Sequence, residues 1–318
     1  YTESYKQRSD NMSIIIGMDI GNENVQSMLK NNKSIFKNKM DEGKSIDTNL
    51  TIGKNTYNVE YEGAKYVIGD YAEQPSNRME GKNSEKHLIA GLTSLSTSVE
   101  SGSDVKLVIG ESLNAYFNKE HKDAIRSRFI GEHKIKVNGK MYKYNIKDVH
   151  ILPESIGHKL LNYHKYVNNK VSYTLDMGSS TVNYGYYEGL IPIESKCAAY
   201  TLGMHNLISN ISKSFSRNGG PYNCTQQQIK EYIEVGCRNP KLQEIVEVEI
   251  NKQFDKLESL LQADGVNIHY LDEIEFCGGV TITLKKYIEA RYQNAVIVEN
   301  PLWSNCEGFF KFALQKFS

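Results

Sequence analysis

Two stretches of the chain share one order of acidic, glycine and small polar residues. They align as Asp-apolar-Gly-polar-polar-polar-Val and are Asp19-Ile20-Gly21-Asn22-Glu23-Asn24-Val25 and Asp176-Met177-Gly178-Ser179-Ser180-Thr181-Val182. Glycine and small hydroxyl residues allow backbone N–H groups to close on phosphate oxygens without obstruction from side chains. The repeat therefore predicts two half-sites that face a single phosphate-bearing ligand.

An aspartate begins each stretch, at the end of an apolar strand. Mg²⁺ is usually held by one or two carboxylates together with phosphate oxygens and water. Asp19 and Asp176 are therefore the predicted metal-side residues, with water between the carboxylates and the ion. One such turn alone is more often an ordinary β-turn capped by an aspartate. It is the repetition that favours a ligand site.

A third carboxylate, Glu154, follows Pro153 where a predicted strand meets a predicted helix. A glutamate fixed at such a junction can orient a water molecule for attack on a terminal phosphate. The alternative interpretation is an acid that interacts favourably with the start of the helix. A third glycine turn, Gly278-Gly279, also follows a short strand.

These residues must be positioned by alternating strands and helices. Apolar runs and turn residues predict strands over 14–20, 25–29, 50–52, 57–61, 66–68, 106–110, 149–154, 274–276 and 295–298, and a hairpin over 134–144 around Asn138-Gly139. Helical periodicity, a capping box at Thr225 and Gln228, and Pro240 at a first helical position predict helices over 85–95, 155–166, 203–215, 225–235, 240–261 and 279–292. Interleaved strands and helices indicate an α/β fold with mixed sheets.

The composition indicates a globular protein. The chain has 318 residues, 24% charged residues and a formal net charge of +0, which argues against direct nucleic-acid or membrane binding. Its five cysteines are odd in number and contain no Cys-x-x-Cys pair, so reduced cytoplasmic thiols are expected. Apolar runs such as residues 14–16 are far too short for a signal peptide or a membrane span. Residues 1–11 are interpreted as an N-terminal extension or a non-native remnant.

The motifs, taken together, resemble those of the actin, Hsp70 and sugar-kinase superfamily. Asp19–Val25 and Asp176–Val182 resemble its two phosphate loops, and Cys277–Thr281 its adenosine motif. Pro153–Gly157 and Asn305–Gly308 resemble its two connecting segments, and all five occur in family order over most of the chain. The stretch from Lys136 to Ile156 is similar to the ParM-like plasmid-segregation actins.

This resemblance implies an actin-like fold in which two related domains, with mixed five-stranded-type sheets, flank a nucleotide cleft. Domain I would comprise residues 12–168 and 300–318, and domain II residues 169–299. The cleft would bind ATP or GTP with Mg²⁺. Asp176 would hold the Mg²⁺ shell, Glu154 would orient the hydrolytic water, and the nucleotide would be contacted by Asp19, Gly21, Asn22, Asn24, Gly178, Ser179, Ser180, Thr181, Glu231, Gly278 and Gly279.

The resemblance also implies a cytoplasmic nucleotide hydrolase that polymerises into filaments and drives plasmid segregation. Its partners would be further copies of itself and a DNA-binding adaptor at a centromere-like plasmid site. Neither direct DNA contact nor a membrane is expected. Two alternatives remain open at this point: a small-molecule kinase with the same fold, and a non-catalytic actin-like scaffold.

Three positions depart from the family pattern. Gln26 stands where many relatives have a phosphate-facing lysine, and Cys277 replaces the usual first glycine of the adenosine motif. Asn183 stands where an acid is frequent. The first departure predicts that one positive charge is missing from the phosphate site.

Overall fold

Two mixed β-sheets carry the predicted motifs. The computed structural model describes residues 13–47, 55–74, 82–167, 170–220 and 224–318. Within these residues the strands are β1 Ile14–Ile20, β2 Asn24–Leu29, β3 Asn32–Lys37, β4 Met40–Glu42, β5 Thr56–Tyr61, β6 Ala64–Gly69, β7 Ser103–Glu111, β8 Gly131–Val137, β9 Lys140–Pro153, β10 Val171–Met177, β11 Val182–Glu188, β12 Ile191–Pro192, β13 Ala198–Tyr200, β14 Ile274–Cys277 and β15 Ala295–Ile297. The α-helices are α1 Glu85–Ser96, α2 Leu113–Tyr116, α3 Lys119–Phe129, α4 Gly157–Leu161, α5 Met204–Arg217, α6 Gln226–Glu234, α7 Pro240–Ala263, α8 Gly279–Arg291 and α9 Ser304–Phe317.

The first sheet has nine described strands in the order β3-β2-β1-β7-β9-β8-β5-β6-β4. The second has the order β12-β11-β10-β14-β15, with β13 also paired to β11. Both sheets exceed the five-stranded type that the resemblance implies. In the first sheet the additional hairpins β5–β6 and β8–β9 extend one edge.

The two sheets repeat one unit. In each, an antiparallel hairpin carries the phosphate-turn sequence, and its first strand also pairs in parallel with a later strand, β7 or β14. The registers match as well, because Asp19 lies opposite Gln26 and Asp176 opposite Asn183. Two of the three departures from the family pattern therefore occupy equivalent positions beside the two aspartates.

Apolar faces of helices cover each sheet. Ile16, Met18 and Ile20 on β1 pack with Leu88 and Leu92 on α1, while Leu175 on β10 belongs to a second core with helices α5 and α7. Burial of each such side chain contributes about 1.5–3 kcal/mol. A third cluster joins the two sheets and consists of Val108, Leu152, Ile156, Leu160, Tyr187, Phe309 and Ala313.

Most of the locally signalled elements are confirmed. Helix α1 covers the predicted 85–95, α6 begins with the capping box of Thr225 and Gln228, and Pro240 opens α7. Asn138 and Gly139 form the β8–β9 turn with φ values of 47° and 81°. None of the helices in the described ranges is long and apolar enough to cross a membrane.

One helix prediction is wrong in length. Residues 155–166 were expected to form a continuous helix, but α4 is only Gly157–Leu161 and is followed by a short 3-10 turn at Tyr163–Lys165. Ser155 has a φ of 74°, which no α-helix accommodates, and Asn162 leaves helical geometry at a φ of −117°. The predicted strand 50–52, residues 1–11 and the domain junction at 168/169 lie outside the described residues.

Candidate functional site

A cleft between the two sheets brings the two predicted half-sites together. Eleven of the predicted nucleotide and metal residues line it, as does Glu154: Asp19, Gly21, Asn22, Asn24, Asp176, Gly178, Ser179, Ser180, Thr181, Gly278 and Gly279. Further lining residues are Glu23, Gln26, Asn183, Met204, Lys230, Val280, Thr283, Pro301, Leu302 and Asn305. Residues more than 150 positions apart in the chain thus share one cleft.

The two phosphate turns have the same backbone geometry. The Gly21 N–H donates to the Asn24 carbonyl at 2.9 Å, and the Gly178 N–H donates to the Thr181 carbonyl at 2.8 Å. The start of α5 also contacts the second turn, since the His205 N–H donates to the Ser179 carbonyl at 2.9 Å. Both turns are therefore closed by the same backbone hydrogen bond, and residues of both line the cleft.

Gly278 closes the cleft floor next to Asp176. Its φ of +86° favours glycine, and a Cβ at this position would lie 2.4 Å from Asp176 Oδ1 and 2.5 Å from the Met177 carbonyl oxygen. The Gly278 N–H donates to the Pro301 carbonyl at 3.1 Å. The third glycine turn thus lies directly against the second aspartate, with α8 starting at Gly279.

Three carboxylates converge in the cleft. Burial, followed by the negative charge of Glu154, raises the pKa of Asp19 to about 7 and that of Asp176 to about 6. Asn305 Nδ2 donates to Asp176 Oδ2 at 2.9 Å, while Asp19 Oδ1 is buried with no hydrogen-bond partner among the described residues. Two carboxyls whose pKa values are raised by burial and by neighbouring negative charge attract a cation to this place.

The donor set fits Mg²⁺ that is held mainly by phosphate and water. The part of the chain that the structure describes contains no group of three or more His, Cys, Asp or Glu side chains arranged to hold a metal ion by themselves. The orphaned Asp19 oxygen and the raised pKa values of both aspartates indicate room for a cation shared with a ligand. Mg²⁺ usually keeps several waters and takes one or two protein carboxylates.

Glu154 has two side-chain partners that sequence patterns did not connect to it. The Lys82 ammonium forms an ion pair with Glu154 Oε1, and Asn183 Nδ2 donates to Oε2 at 3.1 Å. The Glu154 N–H donates to the Glu111 carbonyl at 2.7 Å. Lys82 lies in a polar stretch without a motif, so only tertiary structure could identify it.

Position 26 carries an uncharged glutamine, and a lysine on α6 lines the same cleft. Gln26 Nε2 donates to the Leu302 carbonyl at 3.1 Å. Lys230 on α6 lines the cleft, and its ammonium lies 2.6 Å from Glu23 Oε1. Although burial acts to raise the pKa of Glu23, the hydrogen bonds and charges of Lys230 and Lys37 lower it to about 2.

Glu231, predicted to approach the ribose or the base, is exposed and is not among the residues that line the cleft. The preceding residue, Lys230, lies there instead. Consecutive residues on an α-helix point about 100° apart, so Lys230 and Glu231 face different sides of α6.

The two connecting segments meet at glycines. A Cβ at Gly157 would lie 2.2 Å from the Ser304 carbonyl oxygen, and a Cβ at Gly308 would lie 2.2 Å from the Gly157 carbonyl oxygen. The Gly157 N–H also donates to Asn305 Oδ1 at 3.4 Å. This backbone contact between α4 and α9 therefore helps to place the side chain that bonds Asp176.

Comparison with known proteins gives a consistent fold. Residues 17–157 match the family model described as actin-like proteins, N-terminal domain. The archaeal actin homologue Ta0583 superposes with a TM-score of 0.76 at 14% identity, over 95% of this chain and 99% of that chain. The same protein is known in complex with ADP, at a TM-score of 0.71, 15% identity and the same coverage.

Two filament structures are also similar. A 15-stranded ParM filament from Clostridium botulinum gives a TM-score of 0.74 at 19% identity, over 95% of this chain and 99% of that chain. The Alp12 filament gives a TM-score of 0.67 at 24% identity, over 96% and 100%. No protein of curated function matches the chain by sequence.

Proposed function

Because this chain has the actin-like fold, we propose that its cleft binds and hydrolyses ATP or GTP with Mg²⁺ and that hydrolysis is coupled to assembly into filaments. The observation that carries the proposal is the convergence of two register-matched phosphate turns and three carboxylates on one cleft. A turn or an acid with only a local structural role has no reason to face the equivalent residues of the other sheet. A ligand that contains phosphates and binds with a cation explains why the residues of both sheets converge.

Each group has an assigned part. Backbone N–H groups of the two turns, together with Asn22, Asn24 and the hydroxyls of residues 179–181, contact the phosphates. Gly278 and Gly279 allow the nucleoside to approach the backbone. Asp19 and Asp176 would hold Mg²⁺, with water between the carboxylates and the ion, and the ion would neutralise charge on the phosphates.

Glu154 orients the attacking water in this mechanism. The water oxygen forms a bond to the γ-phosphorus, the bond from the γ-phosphorus to the β–γ bridging oxygen breaks, and that oxygen leaves with the nucleoside diphosphate. The Glu154 carboxylate accepts a hydrogen bond from the water and receives its proton, which then passes to phosphate or solvent. A positioned base of this kind contributes about 10²–10⁴ in rate.

Binding of Mg²⁺ and nucleotide is expected to release protons near pH 6. Asp19 and Asp176 have raised pKa values of about 7 and about 6, so their ionised, metal-holding forms are disfavoured before binding. Affinity should therefore rise as the pH rises from about 6 to 8, and proton release should decline over the same window. Calorimetry in buffers of different ionisation enthalpy measures the number of protons released.

Asp19→Asn is the control for this prediction, because the phosphates themselves also release protons to the buffer. The variant should release fewer protons than the wild type at the same pH; equal release contradicts the assignment.

The stability of the free protein gives a second readout. Because the pKa of Asp19 is raised to about 7 in the folded state, this carboxyl binds more protons when folded than when unfolded between about pH 4 and 7, so its contribution to stability falls as pH rises over that window. Asp19→Asn should remove that loss and raise the unfolding free energy above pH 7 by about 2 kcal/mol.

We further propose the biological setting of a plasmid-segregation actin. The support is the likeness to filament structures of ParM and Alp12. In this setting the partners are further copies of the chain and a DNA-binding adaptor at a centromere-like plasmid site, and the compartment is the cytoplasm. The two domains would comprise residues 12–168 with 300–318, and residues 169–299, one around each sheet.

The test is assembly measured beside hydrolysis. With Mg²⁺ and ATP or GTP, light scattering should rise, electron microscopy should show filaments, and inorganic phosphate should be released. Scattering should stay flat without nucleotide. Absence of both assembly and phosphate release with either nucleotide, over a range of protein and salt concentrations, contradicts the proposal. Phosphate transfer to an added sugar without assembly would instead indicate a kinase.

A further inference from the structure

A buried lysine lies directly against the carboxylate that is assigned to orient water. Lys82 precedes α1 and its side chain is 11% exposed. Its ammonium forms the ion pair with Glu154 Oε1 and donates to the Gly110 carbonyl at 3.2 Å. A buried ammonium is costly unless it is paired and hydrogen-bonded. The pairing with Glu154, itself 14% exposed, meets that condition.

The surroundings of this ion pair are strongly acidic. Burial acts to lower the pKa of Lys82, but the charges of Glu154, Glu111 and Asp19 raise it well above its usual range, so the ammonium stays charged. The titratable groups around the pair are Asp19 on β1, Glu111 on β7 with its partner His121 on α3, His87 on α1, Asp176 on β10 and Cys277 on β14. Lys82 is the cation that contacts Glu154 within the described ranges.

We propose that Lys82 is a positioning residue for hydrolysis: it fixes the place and the negative charge of the Glu154 carboxylate and supplies positive charge to a cleft that lacks a lysine at position 26. This inference rests on the hydrolytic function proposed above. Gln26 is bonded to the Leu302 carbonyl and carries no charge, while Lys230 is engaged with Glu23 on the other side of the cleft. Lys82 is thus placed to act on the carboxylate rather than on the nucleoside.

The charge of Lys82 should affect how the hydrolysis rate depends on pH. If Lys82 loses its charge, Glu154 remains close to Asp19 and Asp176 with no ammonium in contact, and like charges disfavour ionisation of a carboxylate. Hydrolysis needs ionised Glu154, so the acid limb of the pH–rate profile should move to higher pH. A residue that served only to fill space would change the stability without moving that limb.

The experiment compares phosphate release by Lys82→Met, Lys82→Arg and the wild type from about pH 5.5 to 9, at saturating Mg²⁺ and nucleotide. Lys82→Met should move the acid limb upward by about one pH unit or more and lower kcat at neutral pH by about ten-fold or more, with a smaller change in KM. Lys82→Arg should restore the limb. Lys230→Met is the matched control, because it also removes a lysine that is paired with a glutamate, here Glu23; it should change KM and leave the limb in place. A wild-type limb in Lys82→Met overturns the proposal.

A second measurement needs no nucleotide and separates this inference from the proposed function. Urea unfolding at about pH 8 is compared for Lys82→Met, Glu154→Gln and the double variant. Since Lys82→Met leaves Glu154 unpaired, the double variant should recover much of the midpoint lost by Lys82→Met alone. Additive losses overturn the inference even if hydrolysis is found. A third outcome is that the double variant recovers the midpoint but the wild-type protein hydrolyses no nucleotide. That result confirms the contact between Lys82 and Glu154, but it overturns the proposed function and the role of Lys82 in hydrolysis.

Discussion

Glu154→Gln should lower the rate of phosphate release by about 10²–10⁴ while leaving nucleotide affinity within a few-fold of the wild type. The amide keeps the shape of the carboxylate and an acceptor for the Asn183 side chain, whose Nδ2 lies 3.1 Å from Glu154 Oε2. It does not provide the basic oxygen that takes the proton from water. Single-turnover phosphate release and fluorescent-nucleotide titration measure the two quantities separately.

The same variant reports on the coupling of hydrolysis to assembly. If filaments disassemble because their nucleotide is hydrolysed, Glu154→Gln filaments should persist longer after nucleotide is depleted, as followed by light scattering. Glu307→Gln is a control acid, since Glu307 is bonded to Lys33 and Asn300 rather than to the carboxylate cluster. If Glu154→Gln hydrolyses nucleotide at the wild-type rate, Glu154 does not orient the attacking water.

Gly157→Ala should be among the most destabilising single-methyl additions in the chain. Its Cβ would lie 2.2 Å from the Ser304 carbonyl oxygen and 2.3 Å from Asn305 Cα, and both are backbone atoms that side-chain rotation cannot move. We expect a loss of about 2–3 kcal/mol in unfolding free energy. Nucleotide affinity should fall as well, because Asn305 donates to Asp176. Urea unfolding and nucleotide titration measure these losses.

Gly91→Ala is the matched control. Gly91 is also a buried helical glycine, but a Cβ there would meet side-chain ends, Phe129 Cε1 at 3.0 Å and Ile20 Cδ1 at 3.2 Å. Those ends can shift by a few tenths of an ångström, and alanine favours helix by about 1 kcal/mol over glycine. A stability change within about 1 kcal/mol is therefore expected. Equal losses in the two variants would contradict the backbone-contact explanation.

The sequence was most informative where a signal is local and repeated. The phosphate turns were found because the same residue order occurs twice, and the structure places both in equivalent hairpins with equivalent registers. The capping box at Thr225 and the Asn138-Gly139 turn depend only on neighbouring residues, so they fold as predicted. The actin-like fold was implied by the resemblance of five motifs, in their order along the chain, to a known superfamily.

Other features could not be predicted because they depend on contacts between distant residues. Lys82 meets Glu154 across 72 positions and Lys230 meets Glu23 across 207. The expected helix over 155–166 is shortened because Ser155, at φ 74°, hydrogen-bonds Tyr187 on the second sheet at 2.8 Å. In that case tertiary packing overrides a local helical pattern.

The contact between Gly157 and Gly308 also has a mechanical consequence. The chain passes from the first sheet to the second through α4 and returns through α9, and these two helices touch backbone to backbone at that point. Sliding of one sheet past the other would separate two packed backbones, whereas rotation about the crossing keeps them in contact. If the two sheets move relative to each other, rotation about this crossing is therefore the motion that keeps the packing of α4 on α9. A small rotation beside Asp176 would then give a larger displacement at the far ends of the sheets.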